Sequence, residues 1–257
     1  MRVAVIGAAG RMGATVCQAV QDAPDLDLVA AVDPKGAGQP VGPDLTITDT
    51  LDSLTAGGAE VAVDFTVATA AIANARWCSA HGIHAVIGTT GLGEAALEEL
   101  AGAFPRGGGS GCVVAPNFAI GAVLMMRFAE LAAPWFDTAE IIELHHDAKV
   151  DAPSGTALTT AGRMAAASDQ WGADPTRVET VVGARGGTGP GGIHIHSVRL
   201  RGLVAHQEVL LGGPGQSLTI RHDSYDRQSF MPGVLAAVRQ VPHRPGLTVG
   251  LDVLLGI

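Results

Sequence analysis

The chain is poor in the residues that mark several classes of protein. Sixteen lysines and arginines stand against 25 aspartates and glutamates, a net charge of −9, whereas nucleic-acid binding usually needs a basic excess. The three cysteines, Cys17, Cys78 and Cys112, are scattered singly, which argues against a disulfide framework or a zinc ribbon and favours reduced thiols. No apolar run is long enough to cross a membrane, and no charged leader precedes residues 3–6. We expect a cytoplasmic protein with no nucleic-acid or membrane partner.

The abundant residues indicate a globular protein with many tight loops. Hydrophobic residues make up 47% of the 257 residues, which is ample for the core of one large or two smaller domains. Thirty-five glycines with only 4% aromatic residues indicate many turns and close backbone approaches, as where loops wrap a cofactor. Because the chain as a whole is acidic, an anionic substrate needs a local basic pocket.

The first 33 residues contain the pattern of a dinucleotide-binding unit. A buried-strand pattern at residues 2–6 runs into the spacing G-x-x-G-x-x-G and then into a helix with one apolar side. Gly7 allows a tight turn, Gly10 lets the backbone approach a pyrophosphate, and Gly13 lets the helix pack close to the sheet. A second apolar run ends at Asp33, 20 residues past Gly13, which is placed to accept hydrogen bonds from the adenosine ribose.

The charges around this motif leave the choice of coenzyme open. The Asp33 carboxylate favours NADH because it repels the 2′-phosphate of NADPH. Arg11 and Lys35 are close enough in sequence to compensate, although both could equally be solvated surface residues. We therefore expect NADH, NADPH or both as the coenzyme.

Strand and helix patterns continue to alternate as far as residue 117, which predicts a doubly wound parallel sheet. The loops at residues 88–91 and 116–118 follow predicted strands, at the edge where open α/β sheets bind ligands. We expect both loops to line the nicotinamide half of the site. The predicted elements are strands at 61–65, 83–87 and 112–115 and helices at 68–80 and 94–102.

The pattern then changes to one helix followed by several strands, which predicts an open mixed sheet whose last three strands form an antiparallel meander. A further helix and a final strand return to the first domain. An open sheet needs a cover, so we expect oligomerisation through it. The predicted elements are helices at 119–133 and 231–240 and strands around 141 and at 193–200, 203–211, 217–221 and 247–254.

The predicted fold is therefore α/β, with an N-terminal Rossmann-type doubly wound parallel sheet and a C-terminal α+β domain with an open mixed sheet. The dinucleotide-binding domain comprises residues 1–117 and 226–257. The substrate-binding and oligomerisation domain comprises residues 118–225.

Residues 143–156 read E-L-H-H-D-A-K-V-D-A-P-S-G-T and are dense in hydrogen-bond donors, which indicates an anionic ligand. The strand period of two sends Glu143 and His145 to one face and His146 to the other, so the two histidines should have different tasks. Lys149 then enters a loop that precedes a predicted helix.

The residues before that helix, Ser154, Gly155 and Thr156, place backbone N–H groups and hydroxyls where a carboxylate or phosphate would bind. Ser154 and Thr156 could equally be ordinary helix caps.

The histidines of the second half and the glycine-rich segment 185–192 each allow more than one interpretation. His194 and His196 share a strand face and could bind a metal with His206 or His222, but no recognisable ligand spacing is completed, and packed or interface histidines are favoured. We predict no metal site. The glycine-rich segment 185–192 could fold over the substrate or could be a surface loop.

The motif at residues 143–156 resembles the signature of the 4-hydroxy-tetrahydrodipicolinate reductase (dihydrodipicolinate reductase) family, and the resemblance covers nearly the whole chain. Supporting matches are V-I-G-A-A-G-R-M-G at 5–13, D-F-T at 64–66, I-G-T-T-G at 87–91 and A-P-N-F at 115–118. Ala68 and Ala119 stand where many members have proline and serine.

The resemblance implies roles for individual residues. His145 would be the proton donor and acceptor and Lys149 a second proton donor. The substrate dicarboxylate would contact His146, Lys149, Ser154, Gly155 and Thr156. The dinucleotide would contact Gly7, Ala8, Ala9, Gly10, Arg11, Met12, Asp33, Gly88, Thr89, Thr90, Ala115, Pro116, Asn117 and Phe118.

The resemblance also implies a reaction. A hydroxylated cyclic imine would lose water and accept hydride from NAD(P)H at ring C4, with a proton from His145, in the diaminopimelate and lysine pathway. A cytoplasmic homotetramer would be the working form.

Three rival readings remain. An amino-acid dehydrogenase or semialdehyde reductase would share the glycine loop and Asp33. A non-catalytic NAD(P)-sensing module would make His145 dispensable. A metal-dependent hydrolase would use His145, His146 and Asp147, although consecutive strand residues diverge.

Overall fold

A computed structural model describes all 257 residues and divides them into two compact units. The first unit is Met1–Ile120 together with Arg227–Ile257, and the second is Gly121–Asp226. The chain thus leaves the first unit and later returns to it. None of the helices combines the length and apolar character needed to cross a bilayer.

Strands and helices alternate through the first 114 residues. The third and fifth strands are buried along their whole length, as expected for a parallel sheet that is covered on both faces. The elements are β1 (Arg2–Ile6), α1 (Arg11–Asp22), β2 (Asp27–Val32), α2 (Asp52–Ala56), β3 (Val61–Asp64), α3 (Ala68–Ala80), β4 (His84–Ile87), α4 (Glu94–Ala103) and β5 (Gly111–Val114).

The second unit combines two helices with a second sheet. The two strands at residues 138–145 and 205–213 carry buried residues that mostly alternate with half-buried ones, which is typical of a sheet covered on one face. The elements are α5 (Ile120–Ala132), β6 (Thr138–His145), α6 (Gly155–Ala167), β7 (Gly187–Thr188), β8 (His194–Arg199), β9 (Ala205–Gly213) and β10 (Gln216–Ser224).

The returning segment adds α7 (Met231–Gln240), β11 (Gly246–Val249) and α8 (Leu251–Leu255). Strand β11 pairs in parallel with β5 and completes a six-stranded parallel sheet of order β11-β5-β4-β3-β1-β2. The strand order reverses between β1 and β3, the kind of position where open α/β sheets bind ligands. The predicted doubly wound sheet is confirmed.

The predicted final strand at residues 247–254 is partly wrong. The strand ends at Val249, and Gly250, with a φ of 96°, starts the short helix α8. Leu251 and Leu254, three residues apart, are both buried, as on one face of a helix. A short apolar run does not distinguish strand from helix, so the pattern alone was ambiguous.

The second sheet has the order β10-β9-β6-β8-β7. Strand β6 is parallel to β8 and antiparallel to β9, so the predicted open mixed sheet is confirmed. The predicted meander of β8, β9 and β10 is partly wrong. Strands β9 and β10 pair antiparallel as predicted, but β6 lies between β8 and β9. Ile141 of β6 aligns with Ile195 on one side and Val209 on the other, and all three are buried. Burial of these three aligned side chains favours the position of β6 between β8 and β9. Turn signals in the sequence are local and do not reveal this pairing.

Candidate active site

The glycine loop of the first unit is built around backbone contacts that exclude side chains. A Cβ on Gly13 would lie 2.0 Å from the Gly7 carbonyl oxygen, so only glycine lets α1 pack this closely. Gly7 itself has a φ of 85°. Helix α1 begins after Gly10 without a side-chain cap, and the N–H groups of an uncapped helix N-terminus suit a phosphate.

Asp33 lies beside this loop at the end of β2. One carboxylate oxygen accepts a hydrogen bond from the Ala9 N–H at 3.1 Å, and the other accepts one from the Lys35 N–H at 2.9 Å. The Arg11 and Lys35 side chains are exposed. The predicted dinucleotide residues at positions 7–12 and 33 therefore lie together, with the acidic group fixed by backbone N–H groups.

A cavity of about 480 Å³ in the same unit brings the other predicted cofactor loops together. The rings of Phe65 and Phe118 lie 5.9 Å apart there, and Ala115 is fully buried. Residues 65–68 and Phe230 were not among the predicted site residues, although the D-F-T motif is a sequence signal for the former. The lining is Met12, Phe65, Thr66, Val67, Ala68, Gly88, Thr89, Thr90, Pro116, Asn117, Phe118 and Phe230.

A buried carboxylate supports this cavity. Asp64, 3% exposed, accepts hydrogen bonds from the Thr66 N–H and hydroxyl and from the Asn74 amide at 2.6 to 2.8 Å. Burial raises the pKa of Asp64 above its ordinary value, against the effect of these donors. The Thr89 hydroxyl donates to the Thr66 carbonyl at 3.3 Å, so the loops after β3 and β4 are tied to each other.

In the second unit, β6 carries Glu143 and His145 on one face, as the strand period predicts. The Glu143 side chain is fully buried, and its Oε2 lies 2.5 Å from His145 Nδ1. Burial lowers the pKa of His145 below its ordinary value, although the Glu143 carboxylate opposes this shift. A carboxylate can only accept, so Nδ1 carries the hydrogen and Nε2 is the ring nitrogen left to react.

Glu143 has further partners that sequence reasoning missed. Arg199 on β8 donates to both carboxylate oxygens, at 2.9 and 2.8 Å, and the Ser154 N–H donates to Oε1 at 3.2 Å. Burial alone raises the pKa of Glu143, but the hydrogen bonds from Arg199, Ser197 and His145 outweigh it and leave the pKa below its ordinary value. Glu143 is therefore an anion that contacts both His145 and the turn before α6.

The turn before α6 contains the predicted substrate contacts. The Ser154 oxygen accepts from the Ala157 N–H at 3.2 Å and so caps the helix, the alternative that the sequence left open. Gly155 and Thr156 form the first turn of α6, where N–H groups point outward at the positive end of the helix dipole.

Lys149 and His146 lie in the loop between β6 and α6. Lys149 Nζ donates to both carboxylate oxygens of Asp151 at 2.8 Å, and the Lys149 N–H bonds the His146 carbonyl at 3.2 Å. His146 is exposed. Since β6 ends at His145, His146 lies in the loop, where the strand period no longer decides which way its side chain faces.

Three other histidines of the second sheet pair with carboxylates. His196 Nε2 lies 2.7 Å from Glu140, His206 Nδ1 lies 2.7 Å from Asp223, and His194 Nε2 lies 3.1 Å from Asp174. No group of three or more histidine, cysteine or acidic side chains is arranged to hold a metal. Arg185 of the glycine-rich segment bonds Glu140 and Asp174, which anchors that segment to its own sheet.

Comparison with known proteins assigns both halves of the chain to the same enzyme family. The model for the dihydrodipicolinate reductase N-terminus matches residues 1–118, and the model for its C-terminus matches residues 121–255. The chain belongs to the dihydrodipicolinate reductase family. It is therefore an oxidoreductase with a Rossmann-type nucleotide-binding half, as the glycine loop and the resemblance predict.

Individual members of the dihydrodipicolinate reductase family match over their full length. The 4-hydroxy-tetrahydrodipicolinate reductase of Cutibacterium acnes is 53% identical, over 100% of this chain and 99% of the relative. That of Nocardia farcinica is 51% identical over the same shares. The dipicolinate-bound dihydrodipicolinate reductase from Paenisporosarcina sp. TG-14 superposes with a TM-score of 0.89 at 42% identity over 98% of both chains.

More distant solved structures share the fold alone. An amine dehydrogenase from Mycobacterium smegmatis has a TM-score of 0.58 at 14% identity, too low an identity to carry over an activity.

Proposed function

We propose that this chain reduces 4-hydroxy-tetrahydrodipicolinate to tetrahydrodipicolinate, with loss of water, in the diaminopimelate route to lysine. The carrying observation is the full-length match to relatives named for this reaction. The second unit supports it with a histidine, a lysine and a helix N-terminus in the family motif at residues 143–156. The hypothesis that the chain is an amino-acid dehydrogenase is disfavoured, because the dehydrogenase structure it resembles, at 14% identity, shares only the fold.

The first unit fits a nicotinamide dinucleotide. The site excludes a Cβ at Gly13, offers the uncapped N-terminus of α1 to a pyrophosphate, and holds Asp33 for the ribose hydroxyls. The cavity lined by residues 65–68, 88–90 and 116–118 suits the nicotinamide ring. When bound, the coenzyme supplies the hydride. Asp33 supports use of NADH, and the exposed Arg11 and Lys35 support use of NADPH, so we expect both to serve.

His145 supplies the proton that balances hydride addition. Hydride at ring C4 leaves electron density on the neighbouring carbon, which must be protonated, and histidine is the side chain best suited to donate a proton under ordinary conditions. Glu143 binds Nδ1 and so directs Nε2 toward the substrate. The proton leaves Nε2 of the imidazolium, and the neutral ring keeps its Nδ1–H bond to Glu143.

The loop and helix turn bind the two substrate carboxylates. The N–H groups at Gly155 and Thr156 and the positive end of the α6 dipole attract one carboxylate, and His146 binds the other. Lys149 places an ammonium beside the ring, where it stabilises developing negative charge and can donate a second proton. Its present partner, Asp151, is an exposed carboxylate that a substrate carboxylate can replace.

We propose that copies of the chain assemble through the second sheet, as a homotetramer in the cytoplasm as the family resemblance implies. Glu140, Ile142 and Leu144 of β6 are half-buried, whereas Ile141 and Glu143 on the opposite face are buried. A sheet with one incompletely covered face is stabilised when another copy packs on it.

A substrate comparison tests the assignment. We expect rapid oxidation of NADH or NADPH, followed at 340 nm, when freshly generated 4-hydroxy-tetrahydrodipicolinate is added. We expect no reduction of NAD⁺ or NADP⁺ with D-amino acids, aspartate or meso-diaminopimelate. Turnover with an amino acid and none with the cyclic imine would mean that the chain is an amino-acid dehydrogenase instead. Dinucleotide binding without turnover of any of these substrates would favour the sensing module.

A further inference from the structure

One buried carboxylate connects the proton donor to the substrate-binding turn. The Glu143 side chain is 0% exposed, and its two oxygens have different neighbours. Oε2 contacts His145 Nδ1 and Arg199 Nη1, whereas Oε1 contacts Arg199 Nη2 and the Ser154 N–H. A shift of this carboxylate would therefore move the imidazole and the N-terminus of α6 together.

Arg199 fixes the position of that carboxylate. His145 and Arg199 are register partners on the adjacent strands β6 and β8. The guanidinium grips both oxygens of Glu143 and also donates to the carbonyl of Asp151 at 2.6 Å and to that of Val198 at 2.8 Å. A bidentate arginine contact restrains both the rotation and the translation of a carboxylate.

We infer that Glu143 and Arg199 form a positioning pair that sets the proton affinity of His145 and keeps its Nε2 aligned with the α6 turn. The inference rests on the proposed role of His145 as proton donor. Neither residue needs to touch the substrate, since both act through His145 and Ser154.

The charges that face His145 come from three segments. Glu143 on its own strand favours the imidazolium, whereas Arg199 on β8 and Lys149 in the following loop disfavour it. The Asp151 carboxylate, which faces Lys149, offsets part of the lysine charge. Since the Glu143–Arg199 pair is neutral as a whole, removal of either member leaves a net charge beside the imidazole.

The two single substitutions should therefore move the titration of His145 in opposite directions. Glu143→Gln removes the anion, so the pKa of His145 falls and the loss of kcat/KM with rising pH begins at lower pH. Arg199→Gln removes the cation, so the pKa rises and that loss begins at higher pH. A neighbouring charge moves a pKa by about one unit or more, so we expect displacements of about one pH unit in each direction.

A role confined to structure predicts a different result. If Glu143 and Arg199 only hold β6 to β8, both variants lower activity or stability while the pH of the falling limb stays where it is in the wild type. Glu140→Gln is a matched control. Glu140 lies on the same strand and also pairs with an arginine and a histidine, Arg185 and His196, but its alternation places it on the opposite face from His145.

The experiment measures kcat/KM against pH for the wild type, Glu143→Gln, Arg199→Gln and Glu140→Gln, with circular dichroism to confirm folding. Because each single change leaves a buried charge unpaired, the double variant Glu143→Gln/Arg199→Gln is included. It removes both charges, and we expect the pH at which its kcat/KM begins to fall to lie between the values for the two single variants. Opposite displacements support the inference. The inference is overturned if kcat/KM begins to fall at the same pH in the wild type and in all variants.

Direct titration of the imidazole separates this inference from the proposed function. The His145 ring signal is followed by NMR against pH in the wild type and each variant, and it is assigned by its loss in His145→Gln. If His145→Gln keeps full turnover, the proton-donor role fails, but opposite shifts of the NMR titration would still establish the pair. If turnover needs His145 and the NMR titration is the same in all variants, the inference about the Glu143–Arg199 pair is refuted while the proposed role of His145 stands.

Discussion

Asp33 is an example of a single residue whose place could be predicted from sequence. Its position 20 residues past Gly13 reflects the length of one helix and one strand, both fixed by local patterns. The structure places its carboxylate against the Ala9 N–H, beside the loop. Arg199 could not be predicted in this way, because it meets Glu143 across a sheet from 56 residues away.

The contacts of Asp33 give a prediction for coenzyme choice. Asp33→Ala removes the proposed acceptor for the ribose hydroxyls and the proposed repulsion toward a 2′-phosphate. We expect kcat/KM with NADH to fall about tenfold or more, equivalent to the loss of about one hydrogen bond to a charged group, and the NADPH-to-NADH ratio to rise. Steady-state rates at 340 nm with each coenzyme measure this. Arg11→Ala is the opposite control, and it should lower the ratio.

At the scale of elements, the close packing of α1 on the glycine loop depends on the missing side chain of Gly13. Gly13→Ala places a methyl group against the Gly7 carbonyl, and overpacking of this kind costs about 1–3 kcal/mol. We expect a lower free energy of unfolding in urea and weaker NADH binding by fluorescence titration.

Gly102→Ala is the matched control for Gly13→Ala. Gly102 also lies within a helix, α4, but a Cβ there would meet nothing within 4 Å. Since alanine favours helix more than glycine does, this change should leave stability unchanged or slightly raised. Equal losses in both variants would contradict the packing argument.

The elements also show where sequence patterns stop being informative. Period and turn signals located β6 and placed Glu143 with His145, because both follow from the geometry of one strand. They did not place β6 between β8 and β9, since that pairing joins residues distant in sequence. They also read α8 as strand, because a few apolar residues fit either period.

At the scale of the whole molecule, assembly through the second sheet gives a further prediction. Ile142→Glu places a charge on the incompletely covered face, and burying that charge between copies is costly. We expect the wild type to sediment as a tetramer and this variant as smaller species. Leu131→Glu, at a position 54% exposed on α5, serves as the control. A wild type that sediments as a monomer would refute the assembly.

The most direct test of the account compares the wild type with His145→Ala, using 4-hydroxy-tetrahydrodipicolinate and saturating coenzyme. If His145 donates the proton in the rate-limiting chemistry, kcat falls by about 10²-fold or more while KM changes little, since general acid catalysis contributes about 10²–10⁴-fold. A kcat close to that of the wild type would contradict the role of His145 on which the account depends.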